Sequence, residues 1–411
     1  MATPFLNFIA ALAIIIVVAK ASGYLSTRIG QPAVLGELLA GIILGPTVLD
    51  MLHIWPVFAE DEHLAESIQL MAEIGVLMLM MLAGLELDLK GLLGSGKTSG
   101  LAGTLGVFVP LVLGYGTARL FGLDNTSSFV MALSLAATSV SISAQTLMEL
   151  KVLRSRVGLA LLGAAVFDDI LVILLLSVTS IFIGGAAGGI GEIAITLLRI
   201  VLFLVIASAL GFFLLPRLTL MINTLPISQG TLAFALVAML LYAWSAEAIG
   251  GIAAITGAFL VGLFLSRSQF HSQLESGVSA LAYGFFVPVF FVSIGLEVNL
   301  RSISGSAWIF AIVITIVAIL SKIAGSGLGA KISGFTNLES LQLGIGMVSR
   351  GEVGLIVAAF ALSNGLMSQN DFSIAVFMVI IATLVTPPML RASFKERSTP
   401  SVVSQAKSSE Q

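Results

Sequence analysis

Gly84 to Lys90 reads GLELDLK, and Gly295 to Arg301 reads GLEVNLR. Each heptapeptide closes a long apolar run, the first over 66–87 and the second over 276–297. A second pair keeps the same order: GELLAGIIL from Gly36 to Leu44 and GAFLVGLFL from Gly257 to Leu265. In both pairs the partners stand seven apolar runs apart. Seven is odd, so a chain that crosses a membrane at every run carries its second copy upside down, an arrangement that places a shared site near the midplane.

Composition makes the membrane the solvent. Of 411 residues 58% are hydrophobic and 10% charged, with a mean hydropathy of +1.10, which leaves too few charges to cover a water-facing surface. A hydrocarbon core takes about 20 apolar residues per helical crossing. Runs of that size fall at 5–23, 32–50, 66–87, 99–121, 127–149, 156–182, 190–215, 229–247, 249–266, 276–297, 305–330, 340–363 and 371–391. The sequence therefore predicts an all-α membrane protein of about 13 transmembrane helices in one domain over 1–392. Its two inverted-topology repeats of six spans are spans 1 to 6 and 8 to 13. The polar tail 393–411 is expected to be disordered. The first run has no basic segment before it and reads as a retained span rather than a signal peptide. With no cysteine in the chain, disulfides and thiolate chemistry are excluded.

Basic residues fix an orientation. With the N-terminus outside, fourteen of the 19 Lys and Arg residues fall on the cytoplasmic side, Lys20, Arg154 and Lys331 among them. Only Arg119 and Arg301 fall outside, while Arg199, Lys322 and Arg350 lie within spans. The acidic loop Glu60, Asp61, Glu62 and Glu66 is external on this reading, and the C-terminus is cytoplasmic.

Ionisable groups inside spans mark function by default. AVFDDILVILLL, Ala165 to Leu176, puts Asp168 and Asp169 side by side in an apolar helix. Neighbours on a helix project about 100° apart, so one carboxylate can face an ion while the other meets a different partner. A carboxylate holds a hard cation when ionised and a proton otherwise, and the two loads compete. Lys322, in ILSKIAGSGLG, needs an anion, and either aspartate can supply it. That lysine reads as a fixed counter-charge or as a second proton carrier. SLAATSVSISAQTL (Ser134 to Leu147) carries a hydroxyl cluster that competes with helical backbone bonding. GIGMVSRGEVGLIVA (Gly344 to Ala358), seven spans later, combines glycines with Arg350 and Glu352. Both read as interrupted helices, the best sequence pointer to a transporter's binding site. Arg350 and Glu352 are assigned to neutralising helix ends or pairing with Glu73, and Glu37 and Glu247 to span ends or a water-lined surface.

Four motifs in order, GQPAVLGELLAGIILGP (Gly30 to Pro46), the Asp168–Asp169 pair, SKIAG (Ser321 to Gly325) and SRGEVG (Ser349 to Gly354), give the chain a resemblance to a known family. It resembles the second monovalent cation:proton antiporter family, of the NapA and Kef type, over nearly its whole length up to the tail. The resemblance implies an NhaA/NapA-like fold with crossed, interrupted helices, core and scaffold bundles interleaved in sequence, and a homodimer in a prokaryotic-type cell or inner membrane. It implies that Asp169 carries the Na+ and the proton, that Asp168 pairs with Lys322, and that Thr138 and Ser139 lie beside the site with the region from Arg350 to Glu352. Kef-type proteins usually have Gln-Asp in place of Asp-Asp and a nucleotide-binding domain that this sequence lacks, which tilts the cation toward sodium. The expected function is exchange of a monovalent cation for protons by alternating access, with no enzymatic activity, no cofactor, and the lipid bilayer, cations and protons as partners. A potassium/proton antiporter is the alternative. An organic-anion symporter, a cation channel and an intramembrane aspartyl protease are weaker rivals. The protease needs aspartates on separate helices and a GxGD motif, and His53, His63 and His271 lie at span edges or in loops, where they make no metal-hydrolase site. No nucleic-acid partner is expected.

Overall fold

The computed structural model describes residues 3–29, 31–59, 61, 63–86, 94–183, 190–297, 299, 301, 305–350, 352–363 and 365–394. Within helices, the side chains at 173, 174, 176–183, 190–193, 306, 352, 355, 356, 359, 360 and 363 lie outside the described set. The described secondary structure is helical throughout. In the first half the elements are α1 (Pro4–Arg28), α2 (Ala33–Leu44), the single turn α3 (Met51–Ile54), α4 (Leu64–Leu85), α5 (Gly96–Leu120), α6 (Asn125–Ala136), α7 (Val140–Glu149) and α8 (Arg156–Ile183). Then come α9 (Ile190–Phe213), α10 (Leu215–Asn223), α11 (Gly230–Ser245), α12 (Ala254–Leu265), α13 (His271–Leu281), α14 (Val287–Leu296), α15 (Trp308–Ile332), α16 (Asn337–Gly346), α17 (Glu352–Ser363) and α18 (Gln369–Phe394).

Among the described residues, nine helical segments are long and apolar enough to cross a membrane. The sequence reading overestimated two of its spans. In place of 32–50 and 249–266 stand the 12-residue helices α2 and α12, about 18 Å long at 1.5 Å per residue. Pro32 starts α2 and an extended Gly45 stops it, while before α12 the chain turns through Gly251 in the left-handed region (φ 68°). The expected span 127–149 is two helices separated by an extended Ala137 and Ser139 (ψ 145° and 110°), and 340–363 is likewise split into α16 and α17. Side chains cap the first half of each. Asp124 accepts the N–H groups of Thr126 and Ser127, and these bonds, with the Ser127 hydroxyl foremost, hold its exposed carboxyl below the usual carboxylate range. Thr336 and Glu339 form a reciprocal capping box at α16. The expected tail begins within α18, which runs on through Ser393 and Phe394; residues 395–411 lie outside the described set.

The helices pack as two bundles. One contains α1, α2, α4, α11, α12 and α14; the other contains α5 to α8 and α15 to α18. Backbone-to-backbone contacts at glycine hold the first together. A Cβ on Gly41 would stand 2.2 Å from the Val292 carbonyl oxygen, and one on Gly295 2.4 Å from the Ile42 nitrogen. At the other crossing, a Cβ on Gly84 would stand 2.3 Å from the Phe259 oxygen, and one on Gly262 2.0 Å from the Met81 oxygen. Such close crossings suit helices in lipid, where packing must replace the hydrophobic drive. The second bundle has its own apolar core, with Leu133, Ala311, Val357 and Met378.

A side chain at these crossings must push two backbones apart. Gly262→Val is expected to lower stability by about 3 kcal/mol or more, read as loss of monodisperse protein after heating in detergent. Gly116→Ala, where nothing lies within 4 Å of the added Cβ, is expected to be neutral or slightly stabilising; equal behaviour of the two variants would contradict the packing.

Candidate functional site

The two broken helices cross where their extended stretches meet. The Ser139 N–H donates to the Ser349 carbonyl at 3.0 Å, and the Ser349 hydroxyl donates back to the Ser139 carbonyl at 2.6 Å. Ser143 adds a bond to the Gly346 carbonyl at 2.5 Å and a 2.9 Å contact with the Ser349 hydroxyl. Backbone groups released by unwinding are thus recovered across the crossing, which lets irregular chain exist at membrane depth. Ser349 was missed as a site residue at the sequence level, although it lies in SRGEVG, because a serine alone does not reveal which strand of chain it will meet.

The carbonyl ends of α6 and α16 both point at this crossing, and each is met by a buried cation. Lys322 Nζ donates to the Ala136 carbonyl at 2.6 Å, on the last residue of α6. Arg350 donates to the carbonyls of Met347 at 3.0 Å and Val348 at 2.6 Å, just past α16, and to Ala318 at 3.1 Å. Positive charge at a helix C-terminus opposes the partial negative charge of the unpaired carbonyls. Thr383 donates its hydroxyl to the Arg350 carbonyl. Lys322 and Arg350 have no exposed surface. Space for the lysine comes partly from Gly106, where a Cβ would stand 2.2 Å from the Ser326 hydroxyl and 3.8 Å from Lys322 Nζ.

The two aspartates on α8 face different neighbours. Asp168, fully buried, accepts from Lys322 Nζ through Oδ1 at 2.6 Å. Its Oδ2 and the Thr138 hydroxyl are both buried, and Thr138 is among the groups that act on the Asp168 carboxyl. Asp169, 5% exposed, lines a narrow cleft between the bundles. Val140, Leu162, Ala165 and Val166 form one wall, and Met80 of α4 with Ile255, Thr256 and Phe259 of α12 form the other. The free volume is about 10 Å³, close to that of one water molecule. A monatomic ion is compatible with such a space.

Arg350 and Glu73 are not brought together. Glu73 is exposed on α4, with Glu247 as its charged neighbour, while buried Arg350 gives its two terminal nitrogens to carbonyls and leaves Nε without a hydrogen-bond partner. Unwinding creates carbonyl acceptors that a residue pattern does not display, so an arginine beside a break need not seek a carboxylate. Glu352 opens α17, and its side chain lies outside the described residues.

Buried charges gathered around two broken, crossing helices form the site of an ion-coupled membrane transporter. The model of the family "Sodium/hydrogen exchanger, transmembrane" matches residues 12–395, and the chain belongs to that family. It is 38% identical over 389 residues to the Na(+)/H(+)-K(+) antiporter GerN of Bacillus cereus, covering 94% of this chain and 96% of that one. It is 34% identical over 386 residues to a Na(+)/H(+) antiporter of Enterococcus hirae, covering 94% and 98%. Among solved structures, the fold is shared with the sodium proton antiporter MjNhaP1 of Methanocaldococcus jannaschii at pH 8, with a TM-score of 0.70, 18% identity, and coverage of 95% of this chain and 97% of that one.

Removing one partner of a buried ion pair strands the other, at a cost of about 3 to 5 kcal/mol. Lys322→Ala is expected to lose that much, and Asp168→Asn added to it to recover part of the loss. Thermal unfolding of both single variants and the double variant measures the coupling; strictly additive losses would contradict the pair.

Proposed function

We propose that the chain exchanges sodium ions for protons across a membrane by alternating access, with Asp169 as the shared site. The observation that carries this reading is the division of labour on α8: Asp168 is committed to Lys322, whereas Asp169 faces the seam between two bundles. A carboxylate at a seam is reachable from one side or the other as the bundles shift, and it can hold Na+ or H+ but not both. Thr138 and Ser139 supply further oxygens beside the break. Lys322 and Arg350 keep the helix ends neutralised so that Asp169 sets the charge balance. The names of the relatives support sodium as the cation.

The finer architecture belongs to the same proposal. Thirteen crossings with an external N-terminus agree with the basic-residue partition and with the order of the helices. Two features support the inverted repeat. The Gly41–Gly295 and Gly84–Gly262 crossings fall in the paired motifs, and α6–α7 and α16–α17 are broken and capped alike. The homodimer rests on the family resemblance.

Reconstitution into proteoliposomes with an imposed pH gradient tests the function. Added Na+ is expected to dissipate the gradient in wild type, more effectively than K+, and Asp169→Asn, which keeps the shape but cannot exchange a proton, is expected to abolish the response in a folded protein. Near-normal exchange by Asp169→Asn would overturn the assignment, and a K+ response exceeding that of Na+ would overturn the cation.

A further inference from the structure

At the end of the seam where α2 and α8 begin and α7 ends, a chain of side chains ties one bundle to the other. The Ala33 N–H, the first of α2, donates to Glu149 Oε2 at 2.7 Å. Gln145 Nε2 donates to Glu149 Oε1 at 2.9 Å, and the Tyr283 hydroxyl donates to Gln145 Oε1 at 3.0 Å. Glu149 and Gln145 stand on α7, in the bundle that holds Asp168 and Asp169; Ala33 and Tyr283 belong to the bundle on the other side.

Two local features suit these residues to bridging. Pro32 gives α2 no side-chain cap of its own, so the Glu149 carboxylate from across the seam occupies the helix start, where a negative charge is favoured. Tyr283 sits in the five-residue π-turn Ala282–Phe286, which adds a residue to the turn and redirects the side chains around it.

Among the described residues, the positions that the inverted repeat relates to these three lack this chemistry. Aligning the paired motifs at Gly84 and Gly295 puts Ala72 where Tyr283 stands. Aligning the broken helices at Val140 and Glu352 puts Val357 and Ala361 at the places of Gln145 and Glu149. All three counterparts are buried and apolar, so the polar triad has no equivalent at the positions the repeat relates to it.

We propose that Glu149, Gln145 and Tyr283 form a latch that closes the cytoplasmic end of the seam and sets how often Asp169 is open to that side. The inference rests on the alternating-access reading and on its orientation. Breaking the Glu149–Ala33 and Gln145–Tyr283 bonds is the condition for the bundles to part there. Because the latch acts only on the closed state, removing it shifts the population of the two states without altering the ion site.

The chain has no cysteine, so a single reporter suffices. Val140→Cys places a thiol in the cleft beside Asp169, about one and a half turns along α7 from Gln145. Its labelling by a membrane-impermeant maleimide is measured from each face of oriented vesicles. Glu149→Ala in this background is expected to speed labelling from the cytoplasmic face about tenfold, a shift of ~1.4 kcal/mol, and to slow it from the other face. Glu149→Gln, which retains one oxygen for Ala33, is expected to fall between. Tyr283→Phe, which removes a single hydroxyl, is expected to move the same way by less, and it serves if Glu149→Ala fails to fold. Unchanged labelling, or a rise from both faces together as simple loosening gives, overturns the latch. Speeding confined to the other face keeps the latch and overturns the orientation. Labelling needs no ion flux, and antiport by the cysteine-free parent in the same vesicles tests the underlying reading separately.

Discussion

Lys322 holds two things at once: the Asp168 carboxylate and the open carbonyl end of α6, both at 2.6 Å. Without the break at 137–139 no carbonyl would await the ammonium, and without the ammonium the break would leave an acceptor unpaired in a dry interior. A buried pair of this kind adds little net stability against an apolar replacement. Its consequence is specificity: it fixes the register of α15 against α6 and α8, and it leaves Asp169 turned toward the seam. Arg350 repeats the arrangement at the end of α16, so both interrupted helices are closed by a cation from their own bundle.

Close glycine crossings hold both bundles, with Gly325 and Gly329 against the Leu105 and Leu101 oxygens in the second. Glycine crossings at Gly41, Gly84, Gly262 and Gly295 lock α2, α4, α12 and α14 together at backbone distance, and a bundle packed that closely behaves as a rigid unit. Between the bundles the cleft at Asp169 is lined almost wholly by apolar side chains, which slide at small cost. Rigid bodies around a seam with a titratable group in it are the mechanical requirement for alternating access, and the polar bonds at Glu149 and Gln145 give that seam a preferred closed end.

Much of this was legible in the sequence because lipid allows few solutions. A lone ammonium in an apolar run must find an anion, and two adjacent carboxylates on a helix must diverge, so Lys322, Asp168 and Asp169 could be named together. Which aspartate meets the lysine was settled by the resemblance rather than by spacing, since helical phase relative to α15 is a tertiary fact. Span ends were less legible: the apolar runs 32–50 and 249–266 hide α2 and α12, because loop residues beside a membrane helix are as hydrophobic as the helix itself. Arg350 was read toward a helix end or toward Glu73, and the choice stayed open because carbonyl acceptors freed by unwinding leave no trace in composition; it stands at the end of α16. Glu149 escaped notice for the same reason, since its partner at α2 is a backbone N–H, while Gln145 and Tyr283 meet across 138 residues of sequence.

Sodium and a proton competing for one carboxylate leaves a thermodynamic mark that does not depend on transport. Calorimetric titration of the purified protein with NaCl over a series of pH values reads it directly. The account requires the sodium dissociation constant to weaken as pH falls, approaching about tenfold per pH unit once the site is mostly protonated, with a proton released to buffer for each ion bound. Sodium binding whose dissociation constant is the same at every pH, with no proton release, would contradict it.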